Sequence, residues 1–413
     1  TAARRLSAAG KSVAVLEAND RVGGRTLSHE FAPGKIAELG GTWVGPTQDR
    51  VLALAEELGL TIFPQYNDGN MSYVGNGQRL TYSDTLPTGT TPPDPTIIPD
   101  LPALLLIDQM AAQVPPDAPW NAPQALAWDS QSLDTWIRDN THSPQTAKVL
   151  SAALETITGT EARELSLLSF LHHVAGAGNE DNVGTFARLA DTRNAGQESR
   201  IAEGTQQLSL RMAAALGERV VLQSPVRRIR QSESGVVVES DRLTVVAGRV
   251  IVAIPPTLAG RIEYHPVLPG AREQLNQRMA MGWLLKCEAV YDTPFWRAQG
   301  LSGAGLSDVG PAKLTFDVSP PDGNPGLLLG FVGGDEARKW SARPATELRD
   351  AVIENCVSLF GEEARNYRDF FIHDWGLERW SGGSPIAFSG PGVIVGLGEA
   401  QITPAGRVQW AGT

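Results

Sequence analysis

A single lysine stands inside an apolar, strand-forming run: Lys286, within MGWLLKCEAVYDTPFWR at 281–297. Leaving even a neutral polar group buried and unpaired costs about 2–7 kcal/mol, and a charged one costs more unless it is paired or sheds its proton. Such a lysine either snorkels its head group to water or stays inside to do chemistry. A second constellation lies near the start. The apolar run 13–16 is closed by Glu17, and Gly23, Gly24 and Arg25 follow shortly after. A terminal acid on a strand that follows a helix and a glycine turn suits the ribose hydroxyl of a dinucleotide, although many such acids are merely solvated. Two glycines let the backbone approach an anion closely. Arg25 offers a guanidinium fork to a pyrophosphate. The adjacent pair His172 and His173 is a weaker candidate, because neighbours on a helix point to different faces and cannot easily hold one metal. Structural or surface roles suit them better, and the sequence offers no metal site and no nucleophilic triad.

The elements that must position these groups can be read in outline. Residues 1–10 read as the second half of a helix closed by Gly10, and 13–16 as a buried parallel strand. Short strands are predicted at 236–240 and 243–247. Helical periodicity falls at 132–138, 146–156, 164–174 and 347–360. Residues 87–123 carry ten of the 28 prolines and read as a long surface loop, with an apolar stretch at 101–110 able to pack. A length of 413 residues allows two or three domains with ample core. Net charge is −11, from 35 basic and 46 acidic residues. No basic stripe exists to meet phosphates, so nucleic acid is excluded as a partner, and cationic substrates are mildly favoured. Two lone cysteines, Cys287 and Cys356, match no metal or redox spacing and point to a reducing, cytoplasmic location. No transmembrane run or signal peptide is visible, and both ends read as cut.

LEANDRVGGRT at 16–26 resembles the second sequence motif of the flavin-dependent amine oxidases. The resemblance continues through ELGGTWVGPTQ (38–48), RIAEGTQQL (200–208), SPVRRI (224–229), VIVAIPP (250–256), WGLERWSGGSP (375–385) and RVQWAGT (407–413), and looks most like bacterial monoamine oxidases. It implies an α/β fold: a Rossmann-like FAD-binding domain (1–62, 202–275 and 378–413) interleaved with an α+β substrate domain (63–201 and 276–377). Further, it implies FAD as cofactor, a small amine and dioxygen as partners, and a homodimer. Glu17, Ala18, Gly23, Gly24, Arg25, Gly40, Gly41, Thr42, Trp43, Val226, Trp380 and Ser384 then fall at cofactor-binding positions. Lys286 falls where that family holds a water against the flavin, and Trp375 where an aromatic packs beside it. Thr156, Ile157, Leu314, Phe316 and Phe331 match the substrate pocket, though their apolar types suit a core equally well. The implied reaction oxidises an amine bearing an α-hydrogen to an imine, which hydrolyses to a carbonyl compound plus ammonia or a smaller amine, with dioxygen reduced to hydrogen peroxide.

Two positions depart from the pattern. Ser384 stands where some monoamine oxidases carry the cysteine of a flavin thioether, so FAD is expected to be non-covalent. Pro385 replaces one wall of an aromatic cage. An L-amino-acid oxidase or a polyamine oxidase shares the fold and the lysine; the first needs an arginine for a carboxylate and the second needs pocket acids. A flavin-binding scaffold without turnover is the non-enzymatic alternative. A nicotinamide-dependent dehydrogenase has no place for the Gly23–Arg25 turn.

Overall fold

The computed structural model describes residues 1–85 and 89–412. Lys286 lies in a seven-stranded sheet with the spatial order Asp369–Asp374, Leu284–Tyr291, Gly326–Gly333, Leu314–Asp317, Leu301–Ser307, Asn70–Gly75 and Gln78–Tyr82. Neighbours are antiparallel except Leu301–Ser307 with Asn70–Gly75, which run parallel. All eight residues of Leu284–Tyr291 are buried, so both faces of this strand are covered. Side chains alternate between those faces. Leu285, Cys287, Ala289 and Tyr291 pack with Leu348, Val352, Cys356 and Leu359 of the helix Ala345–Phe360. Leu284 and Val290 pack on the other face with Ala37 and Leu39. Lys286 and Glu288 share that second face, which is how a lysine comes to point inward.

The segments that carry the predicted cofactor motifs form around smaller sheets. The helix Ala2–Ala8 ends in the expected glycine cap: Gly10 N–H donates to Ser7 O and Lys11 N–H to Leu6 O, both at 3.0 Å. The strand that follows is Val15–Leu16, parallel to Val220–Val221. It is shorter than the predicted 13–16 and only half-buried; among the described residues it pairs with one two-residue strand. Gly235–Ser240 and Thr244–Ala247 form the predicted meander beside Val226–Ser232. Val250–Val252 pairs in parallel with Val408–Trp410, tying two remote sequence motifs together.

The helical periodicities resolve into Leu133–Asn140, Pro144–Thr158, Leu167–Ala175 and Ala345–Phe360. Ser132, Ser143 and Ser166 cap the first three by accepting from Thr135, Gln145 and Ser169 N–H groups. The proline-rich stretch corrects the sequence reading. Residues 87 and 88 lie outside the described residues; much of the rest is helical and packed. The helix Leu101–Ala111 buries Ala103, Ile107 and Met110 against Leu167, Leu168 and Leu171. Its Pro102 sits in the first turn, where a missing N–H costs nothing, so proline starts the helix rather than breaking it. No helix among the described residues is long and apolar enough to cross a membrane.

Candidate active site around Lys286

Lys286 is 2% exposed, which removes the snorkelling alternative. Its Nζ donates to the Glu38 carbonyl, to Gly40 O at 2.9 Å and to Thr42 Oγ1 at 2.6 Å. The Phe331 and Trp43 rings stand 5.6 and 6.0 Å from it. Burial pushes the lysine below its usual pKa, while the Glu288 and Glu38 carboxylates pull the other way.

The partner of this lysine is the turn 38–43. Four successive carbonyls of that turn are satisfied from one side. Lys286 serves Glu38 O and Gly40 O, Trp375 Nε1 donates to Leu39 O at 2.8 Å, and Thr205 Oγ1 donates to Gly41 O. Gly40 has no room for a side chain: a Cβ would lie 2.6 Å from Leu27 N and against Arg25 O. Gly41, in contrast, is exposed. Trp375 is buried, and its ring meets His373 edge-on at 4.5 Å. His373 is the cross-strand partner of Lys286, so lysine, histidine and tryptophan form one contiguous group. Beneath the turn, Glu38 accepts from Thr205 N at 2.6 Å and Ser28 Oγ at 3.0 Å. Burial raises Glu38 to about 7 in spite of those hydrogen bonds.

The predicted cofactor residues gather beside this turn. Gly23 and Gly24 take φ of +116° and +55°, which glycine alone adopts freely. Around them, Arg21 Nη1 donates to Gly24 O at 2.9 Å and Thr26 O at 3.3 Å. Arg21 Nη2 is buried with no hydrogen-bond partner among the described residues. An orphaned guanidinium donor beside an exposed Gly24 with open space above it suits a pyrophosphate, so the residues present fit FAD. Arg25 Nη1 donates to Pro385 O and thereby joins the glycine turn to the late motif. Half-buried Glu17 accepts from Asn19 N at 2.8 Å, and burial raises its pKa. Its neighbour Ala18 is half-buried too, and Val226 lies near, at the start of Val226–Ser232 after the 223–224 crossing that bonds to the Glu17 and Asn19 carbonyls. Ser384 is buried, its N–H donating to Gly282 O at 2.8 Å. Trp380 lies between the guanidinium groups of Arg379 and Arg227, at 4.6 and 5.5 Å.

The five pocket candidates separate into two groups. Phe316 and Phe331 join Trp43 in an aromatic cluster with ring centroids 5.3–6.1 Å apart, of which Phe331 and Trp43 stand against Lys286. Leu314 pairs with Phe331 across the sheet. Thr156 and Ile157 are half-buried near the end of Pro144–Thr158, where Thr156 Oγ1 donates back to Ala152 O. A cleft of about 530 Å³ opens elsewhere, lined by Phe63, Gln65, Tyr66, Asp68, Glu198 and Arg200 among others, and by none of the five. It adjoins the cluster through Gln65, which accepts from Trp43 Nε1 at 2.8 Å. As for the histidines, His172 meets Pro116 O at 2.7 Å and His173 is held neutral by burial, down to about 4. Sequence reasoning missed Arg21, Arg200 and Glu288. Glu288 was the most legible of these, because residues two apart on a strand share a face.

Against known proteins, the family profile described as "Flavin containing amine oxidoreductase" matches residues 1–413. A Mycobacterium tuberculosis protein bearing the name flavin-containing monoamine oxidase AofH is 40% identical over 414 residues, covering 100% of this chain and 88% of its own. Putrescine oxidase of Kocuria rosea is 37% identical, covering 99% and 86%. The structure of cyclohexylamine oxidase from Brevibacterium oxydans IH-35A superposes with a TM-score of 0.93 at 32% identity, over 100% of this chain and 90% of that one. The glycine turn with its orphaned arginine, the buried lysine and these full-length matches agree, and the chain belongs to the flavin-containing amine oxidoreductases, as an FAD-dependent amine oxidase.

Proposed function

We propose that the substrate is a small primary or secondary amine that reaches the Lys286 face uncharged. The observation that carries this is the burial of Lys286 against Trp43 and Phe331, with Phe316 packed behind them. Such a wall excludes water and disfavours an ammonium, leaving the amine's lone pair free. FAD, when bound, supplies the acceptor for the hydride equivalent from the amine α-carbon and passes both electrons to dioxygen, giving hydrogen peroxide. Arg21 and the glycine turn bind the pyrophosphate, and Glu17 binds a ribose hydroxyl. Lys286 holds a proton at Nζ next to the reacting groups, and Trp375 fixes the turn that carries them. The domain division predicted above belongs to the same reading, as do a cytoplasmic setting and a homodimer, for which light scattering is the measure.

An α-amino acid needs a guanidinium for its carboxylate. Arg200, whose charge acts on Lys286, commits Nη1 and Nη2 to the Val318 and Ser319 carbonyls and has only a buried Nε unpartnered among the described residues, so it presents no two-nitrogen fork to a carboxylate. A peroxide-coupled screen should therefore give activity with simple amines, and L-amino acids at least ~30-fold slower, the equivalent of about 2 kcal/mol for an unpaired polar group. Faster oxidation of an L-amino acid would overturn this reading, and no peroxide with any amine would leave a scaffold. A diamine is the second reading: Asp68 and Glu198 are the cleft-wall acids for a distal ammonium, set against Arg193, Arg200 and Arg297 in the same wall. Ser384 carries no thiol, so acid precipitation should leave a yellow supernatant and a white pellet. Colour retained in the pellet would mean a covalent flavin.

A further inference from the structure

Glu288 has no place in the site as described so far. Its side chain is fully buried, on the same sheet face as Lys286 and two residues along. Neither carboxylate oxygen has a well-formed hydrogen bond among the described residues; the Glu38 N–H and the Lys286 ammonium are the donors that act on it from longer range. The nearest cation is Lys286, with Nζ 3.8 Å from Oε1. A structural ion pair would use its lone pairs, since a half-satisfied buried carboxylate costs more than an apolar residue of similar size. The flanking residues Leu284 and Val290 show that this face accepts apolar side chains. A buried carboxylate with weakly held lone pairs, 3.8 Å from one amine, fits proton exchange better than packing.

We propose that Glu288 is the positioning partner of Lys286 and its internal proton acceptor. For the exchange Nζ must release one of its three hydrogen bonds to the 38–42 turn and close the 3.8 Å to Oε1; the Nζ–H bond then breaks, an Oε–H bond forms, and ammonium plus carboxylate become amine plus carboxylic acid. No proton leaves for bulk water, from which the site is closed. The proposal rests on the reading of Lys286 as the cation of the reacting site.

The surrounding charges define what the pair feels. Glu38 faces it from Lys35–Glu38, and Arg200 from Ser199–Ile201. His373 lies across from Lys286 on Asp369–Asp374, with Asp374 next to it, and His373 also feels Arg21 and Glu378. His29 packs on Phe371, the residue opposite Glu288. Leu329 and Phe331 on the other neighbouring strand are apolar. Two buried cations thus meet two buried carboxylates, Glu288 and Glu38, each raised to about 7, with burial the leading cause.

The test is Glu288→Gln in the full-length holoenzyme, with Glu288→Asp as the second variant. The first readout is the pH profile for reoxidation, by dioxygen, of enzyme reduced beforehand without oxygen, a step in which no amine titrates. Removing the carboxylate removes a term that raises the lysine pKa. The limb that disappears in Lys286→Met should then move to lower pH, by about one to three pH units in Glu288→Gln and by less in Glu288→Asp. The second readout is thermal stability against pH. A carboxyl raised by burial contributes stability that is complete below its unfolded pKa and is lost as pH rises through its folded value. The wild-type midpoint should fall between about pH 4.5 and 7, and Glu288→Gln should flatten that fall. A reoxidation limb left in place, or moved to higher pH, in whichever variants fold overturns the proposal. An unaltered reoxidation profile in Lys286→Met would instead undo the reading of the lysine as a group acting on oxygen, and the stability slope would still report the pair.

Discussion

Lys286→Met lowers amine turnover by about 10²–10⁴-fold, the range of a positioned proton-transfer group. Methionine is unbranched and fills the same channel between Phe331 and Trp43, so the loss is chemical before it is steric. Stopped-flow measurements separate the two half-reactions: flavin bleaching by amine under nitrogen, and reoxidation by dioxygen. If the lysine acts on oxygen, the second half-reaction carries the loss. If it acts on the imine, bleaching and reoxidation both survive, and carbonyl release slows. Bleaching, reoxidation and carbonyl release all unchanged would remove Lys286 from the chemistry. Stability should respond with a definite sign. The variant keeps Glu288 and Glu38 but loses the cation that lowers both, so their pKa values rise further. Below that range both are neutral and the variant folds; at alkaline pH it is destabilised relative to wild type, because two buried carboxylates must ionise without Lys286.

How much of this was legible follows from which interactions are local. The Gly23–Gly24 turn, the Gly10 cap and the helix periodicities are set within a few residues, and the sequence displays them directly. Lys286 was legible because a lysine in a strand that is apolar but for Glu288 contradicts its neighbourhood. The turn 38–43 was visible as glycines, but its role as four carbonyls capped by Lys286, Trp375 and Thr205 was not, since those partners lie far away in sequence. Arg200 was hidden for the same reason: its partners, the Val318 and Ser319 carbonyls, sit on another element. The proline-rich stretch misled because composition alone does not say that Pro102 falls in the first turn of a helix. Glu288 was within reach, as alternation placed it beside the lysine; only its burial, invisible in sequence, made it significant.

Arg21→Met weakens FAD binding by about 10- to 150-fold. The figure is one hydrogen bond to a charged group, about 1.5–3 kcal/mol, lost where the orphaned Nη2 now stands. Arg21 also holds the glycine turn through Gly24 O and Thr26 O, so a general collapse of the turn has to be distinguished from loss of the anion contact. Riboflavin provides the distinction, because it carries the same ring system and no phosphate. Flavin fluorescence titrations should show FAD affinity falling while riboflavin affinity stays within about twofold. Salt gives a second signature: screening at high ionic strength should narrow the gap between wild type and variant for FAD and leave riboflavin unaffected. Arg21→Lys keeps the charge without the planar fork and should recover only part of the loss. Equal weakening of both ligands would make Arg21 a residue of the turn alone, and the pyrophosphate would then have to find its guanidinium elsewhere.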